Sequence, residues 1–119
     1  MVEEKGLVNE NLEAVLPIRL ASGAVIEGVL DTGFNGSLLL PRQFVEATSM
    51  PFAGREEVVL VEEISAEIDT AMAEAIWLEE TFPIRILVSE TSEALIGTQM
   101  LAGAVLEIDY KNSTVKITK

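Results

Sequence analysis

The chain has 119 residues, a formal net charge of −12, and neither cysteine nor histidine. Its length suggests one domain, and 49% hydrophobic residues support a core that needs no disulfide or metal. The missing residue types exclude serine–histidine and cysteine–histidine catalysis and the usual zinc and copper sites. The acidic balance argues against nucleic acid and anionic membranes as partners.

Residues 1–11 are polar apart from Met1, Val2, Leu7 and Val8 and read as an N-terminal arm or edge strand. The segment Met1–Lys5 has no apolar signal core, and no stretch approaches about eighteen uninterrupted apolar residues, so the expectation is a soluble, unprocessed, cytoplasmic protein. Leu12, Ala14, Leu16, Ile18 and Leu20 recur at period two, the pattern of a half-buried strand. Pro17 argues for an edge or an irregularity within it. Ala21-Ser22-Gly23 reads as a hairpin turn into a second strand over 24–30.

Leu38-Leu39-Leu40 reads as a buried strand, with Pro41 suited to the first position of a short helix running to Thr48. Strands are expected from Glu56 to Val88, turning near Glu62-Glu63 and again at Glu79-Glu80-Thr81. Alanines in 68–78 favour helix, but Ile68, Thr70, Met72, Glu74, Ile76 and Leu78 keep period two, which favours strand. A short apolar strand Ala94–Gly97, a helical turn Thr98–Leu101 and a closing hairpin over 106–118 complete the chain. Many short strands and little helix indicate an all-β barrel or sandwich.

The segment that stands out is Asp31-Thr32-Gly33-Phe34-Asn35-Gly36, set between the strands Val25–Leu30 and Leu38–Leu40. Gly33 and Gly36 suggest a loop with special backbone conformation or close main-chain approach. Taken alone, the hexapeptide also fits an ordinary turn. Without histidine, Ser37 has no base to activate it, so acid–base chemistry falls to carboxylates, lysines or tyrosine. There are three aspartates, Asp31, Asp69 and Asp109, and Asp31 alone follows a long apolar run. The glutamate pairs 56–57, 62–63 and 79–80 read as solvated turns and strand ends; no metal site and no cofactor is expected.

The run Val29-Leu30-Asp31-Thr32-Gly33, with Ala94-Leu95-Ile96-Gly97-Thr98-Gln99-Met100-Leu101 later in the chain, resembles the retropepsin-like aspartic proteases of the single-domain cellular type. The resemblance covers residues 12–119 and implies an acid-protease barrel with one lobe per chain and one or two short helices. It implies Asp31 as the catalytic carboxylate, Thr32 and Gly33 as its support, and Ile96 and Gly97 packed beneath the loop. A flap hairpin over Leu60–Ser65 would cover a peptide or protein substrate, which Phe34, Asn35, Val61, Glu62, Glu63 and Ile64 would contact. Phe34-Asn35-Gly36 departs from the alanine followed by serine or aspartate of viral and pepsin-like members. Such chemistry needs two carboxylates and the chain has a single Asp-Thr-Gly, so a homodimer would supply the second Asp31 across its two-fold axis. The expected activity is an aspartic endopeptidase; the alternative is a non-catalytic dimeric β module that binds peptides or mediates assembly.

Overall fold

The computed structural model describes residues 1–59 and 64–119. Ten strands form a single strongly curved sheet among the described residues, with strand order β5-β6-β7-β4-β8-β3-β2-β1-β10-β9 and an additional pairing of β6 with β2. The all-β expectation is met: among the described residues the helical elements are a six-residue helix and one 3-10 turn.

β2 (Ala14–Leu20) buries Ala14, Leu16, Ile18 and Leu20, the face its period-two pattern marks. A turn at Ala21–Gly23 joins it to β3 (Val25–Leu30); Gly23 takes the left-handed φ of 96° that this turn requires. Pro17 is accommodated by an interruption. β1 pairs with β2 only as far as Val15, and β6 pairs with it only from Arg19, so the residue without an N–H lies between two partners.

β1 (Glu3–Val8) corrects the expectation of an arm or edge strand. It lies inside the sheet, with Leu7 facing Thr114 of β10 (Thr114–Thr118) on one side and Val15 of β2 on the other. The chain ends meet: Val2 N–H donates to the Lys119 carbonyl at 3.1 Å, and Lys119 N–H to that of Val2 at 3.0 Å. Gly6 allows the close crossing, because a Cβ there would collide with the Val15 carbonyl oxygen. Glu4 points inward and is buried, and Arg19 pairs with its Oε1 at 3.1 Å. β9 (Val105–Asp109) closes the hairpin with β10 and forms one edge of the sheet.

β4 (Leu38–Pro41) runs into α1 (Arg42–Ala47). Pro41 stays extended (φ −61°, ψ 141°) and caps the helix instead of opening it. β5 (Phe52–Val59) and β6 (Ser65–Trp77) form a long hairpin, and β6 pairs on its other side with β7 (Glu80–Ser89). Segment 68–77 is therefore strand despite its alanines, because partners on both flanks supply a ladder that local helix propensity cannot match. The expected flap tip, including Val61, Glu62 and Glu63, lies outside the described residues.

The core gathers Leu16, Leu38, Leu40, Ile86, Ile96 and Ile117, all at 0% exposure. Each such side chain contributes about 1.5–3 kcal/mol of burial. Three of them flank the Asp31 loop in sequence or space: Leu38 and Leu40 on β4, and Ile96 on β8 (Leu95–Ile96). No helix among the described residues is long and apolar enough to cross a membrane.

Candidate active site

β3 delivers the chain to Asp31, and β8 fixes it there. β8 runs parallel to β3, pairing Val29 with Leu95 and Leu30 with Ile96. Val29 N–H donates to the Ala94 carbonyl at 2.9 Å, and Asp31 N–H to the Ile96 carbonyl at 3.0 Å. The loop then turns tightly: Phe34 N–H returns to the Asp31 carbonyl at 3.1 Å, and Gly33 N–H donates to Asp31 Oδ1 at 2.9 Å. The carboxylate is thus oriented by a main-chain donor two residues on, while Asp31 stays half-buried and Thr32, Gly33 and Asn35 are exposed.

The second half of the loop rests on the 3-10 helix Thr98–Leu101 and the residue before it. Gly97 N–H donates to Ser37 O at 2.8 Å, Thr98 N–H to Phe34 O at 2.9 Å, and Gln99 N–H to Gly36 O at 3.2 Å. Ser37 Oγ donates to Gln99 Oε1 at 2.8 Å, adding a side-chain tie across the same seam. Gly97 is required for space: a Cβ there would collide with the Gly36 carbonyl oxygen and lie 2.8 Å from the Phe34 ring. Gly33 and Gly36 likewise avoid the left-handed region, so close approach and not unusual φ is what they provide. Phe34 fills the room that Gly36 and Gly97 leave.

In front of the loop lies a cleft of about 640 Å³. Gly33–Ser37 and Gln99 form one side, and Glu56–Val59 of β5 with Phe82–Arg85 and Leu87 of β7 form the others. A larger depression of about 840 Å³ beside α1 contains no residue of the Asp31 loop. The first cleft reaches the Asp31 loop through Gly33–Ser37, and Asp31 itself lies two residues before this lining.

Protein-family models and curated protein sequences give no match to the chain. Solved structures do. A retropepsin-like aspartic protease from Rickettsia conorii superposes with a TM-score of 0.67 at 14% identity, over 97% of this chain and 89% of that one. The foamy viral protease–reverse transcriptase, solved with an RNA/DNA hybrid, superposes with a TM-score of 0.54 at 14% identity, over 74% of this chain and 11% of that one. The fold is retropepsin-like. The match covers about one-ninth of the viral protease–reverse transcriptase, so this chain corresponds in fold to a small part of it.

Within the retropepsin-like fold, Asp31, Thr32, Gly33, Ile96 and Gly97 come together at the β3–β8 seam. Phe34 and Asn35 line the cleft, whereas Ile64 is exposed and does not. Val61, Glu62 and Glu63 lie outside the described residues. The other two aspartates are engaged elsewhere. Asp69 accepts from Arg42 at 2.7 Å and from Arg55 at 3.1 Å; the Arg42 hydrogen bond is the main cause holding its carboxyl below the ordinary value. Asp109 accepts the Asn112 side chain at 2.8 Å and the main-chain N–H groups of Lys111 and Asn112, and it too is lowered, chiefly by Asn112. Arg42 also meets Glu90 at 2.7 Å, so this ionic cluster joins α1, β5, β6 and the loop after β7.

Sequence reading missed the Ser37–Gln99 tie and the β5 and β7 walls of the cleft. The polar pair had no local signal, because its partners lie in separate segments. The walls had one: two strands flanking the expected flap turn must face something, but their alternation does not say what.

Proposed function

We propose that the protein is a homodimeric aspartic endopeptidase, hydrolysing peptide bonds with water activated between Asp31 of one subunit and Asp31 of the other. The observation that carries this reading is the position of Asp31. It sits at the end of β3 beside an open cleft, its main chain fixed to Ile96 and its Oδ1 accepting the Gly33 N–H. Asp69 and Asp109 are held by other partners, so a second free aspartate for such a pair has to come from another copy. A two-fold axis through the exposed face of the loop would bring identical carboxylates together.

Two carboxylates about 3 Å apart repel by roughly 5 kcal/mol at an effective dielectric of about 20, or about four pKa units. The pair therefore keeps one proton over a wide range of acidic pH. The ionised member takes a proton from water as the oxygen attacks the scissile carbonyl carbon, and the protonated member donates to the carbonyl oxygen. Thr32, exposed at the turn, would hydrogen-bond to the partner's loop. The peptide would lie extended in the cleft between the loop and the β5 strand, with Phe34 and Asn35 beneath it. Glu62 and Glu63, at the expected flap turn, would disfavour acidic substrates.

The test is a peptide-library assay across pH 3–7 with the wild type and Asp31→Asn, run at several protein concentrations. Hydrolysis that disappears in the variant and falls faster than linearly on dilution supports the proposal. Absence of wild-type hydrolysis, or hydrolysis unchanged by the substitution, overturns it in favour of a non-catalytic β module that binds peptides or mediates assembly.

A further inference from the structure

The 3-10 helix that carries the Asp31 loop is itself anchored by a residue remote from the cleft. Trp77, at the end of β6, is 4% exposed, and its Nε1–H donates to the Met100 carbonyl at 2.8 Å. Met100 belongs to the 3-10 helix, and its own N–H closes the turn on the Gly97 carbonyl at 3.1 Å. The three N–H groups that reach the loop come from Gly97, Thr98 and Gln99, immediately before it. A single buried indole hydrogen bond therefore fixes the end of the segment whose beginning holds Phe34, Gly36 and Ser37.

The turn that follows Trp77 is strained. Trp77 and Glu80 are paired across a two-residue turn in which Leu78 and Glu79 both adopt left-handed backbone, with φ of 51° and 63°. Neither is the glycine or asparagine that such turns prefer. Left-handed conformation is unfavourable for residues that carry a Cβ. Leu78 is nonetheless buried at 6% exposure beside Trp77.

We infer that Trp77 is a positioning residue for the Asp31 loop, acting through Met100 and the 3-10 helix. The inference rests on the aspartic-protease reading for its kinetic consequence but not for its structural one. With the anchor lost, the helix is free to shift, and the loop above it relaxes. In a paired site the spacing of the two carboxylates sets the separation between their ionisations. An increase from about 3 to 4 Å lowers the repulsion by about a quarter, narrowing the active pH range by about one unit.

The experiment compares wild type with Trp77→Phe and with protein in which Trp77 is replaced by its benzothiophene analogue, which keeps the bicyclic shape without the N–H. Because Trp77 is the sole tryptophan, the analogue can be incorporated at that position alone. Amide hydrogen exchange is measured in all three, together with kcat, KM and the pH–rate profile. The expected result is at least tenfold faster exchange at the amides of Asp31, Gly97, Thr98 and Gln99, with the β1–β10 amides unchanged. In the active enzyme, kcat falls about tenfold, KM changes less than twofold, and the pH profile narrows by about one unit. Exchange that rises equally everywhere or nowhere overturns the inference. So does an unaltered pH profile in an active variant. If the wild type hydrolyses nothing, the protease reading fails by itself, and the exchange pattern still decides the anchor. If the phenylalanine variant does not fold, the analogue supplies the same comparison with the packing retained.

Discussion

The Asp31 N–H donates to the Ile96 carbonyl at 3.0 Å, one ladder step beyond the pair Leu30–Ile96. The loop aspartate is therefore the last residue held by the β3–β8 ladder, not a free turn residue. Main-chain support of this kind survives changes to the side chain. Asp31→Asn should leave the melting temperature within a few degrees of wild type while lowering kcat by at least about 10²–10⁴-fold, the range for removing a general acid–base group. Calorimetry beside a peptide-cleavage assay measures both. A large loss of stability would mean that the carboxylate is a fold element and not a reacting group.

Gly97 offers a sharper structural test. A methyl group there meets the Gly36 carbonyl oxygen, which already accepts the Gln99 N–H, and the Phe34 ring. The carbonyl cannot withdraw without releasing that bond. Gly97→Ala should destabilise by about 1–3 kcal/mol, typical of overpacking. Combining it with Phe34→Ala should recover part of the loss, since the ring is one of the two obstacles. Urea denaturation of the four members of the cycle measures the coupling.

At Glu79 the opposite sign is expected. The residue is exposed and held at φ 63°, where glycine has no Cβ penalty. Glu79→Gly should stabilise by about 1 kcal/mol, raising the thermal midpoint by several degrees in a domain of this size. A lowered midpoint would show that the glutamate side chain contributes something the turn geometry does not reveal.

The cluster around Asp69 predicts how acid affects the fold. Arg42 and Arg55 hydrogen-bond its carboxylate, and Glu67 and Glu90 neighbour the same arginines. The folded pKa of Asp69 is lowered below its ordinary 3.8. A depressed carboxyl contributes stability that is fully present above the unfolded value and is lost as pH falls through the folded one. The wild type should therefore lose stability below about pH 4, and Asp69→Asn should be less stable near neutrality but flatter in acid. Denaturation midpoints taken between pH 2 and 6 test this; parallel curves for the two proteins would remove Asp69 from the acid response.

The sequence by itself determined the chemistry available and the local elements. With no histidine or cysteine, Asp31 between two apolar strands was the conspicuous carboxylate, and alternation in 14–20 named the buried face; in 68–77 it named a strand but marked the more exposed face, since Ala71, Ala75 and Trp77 are the buried hydrophobic side chains and Ile76 is 37% exposed. These signals are legible because the side-chain period of a strand and the chemistry of a residue type are local properties. Partner choice is not local. That β1 lies between β2 and β10, that β5 and β7 wall the cleft, and that Trp77 reaches Met100 were decided by the tertiary structure alone. The same alternation would serve an edge strand or a central one, and an indole N–H finds its acceptor only when topology brings a distant carbonyl within 2.8 Å.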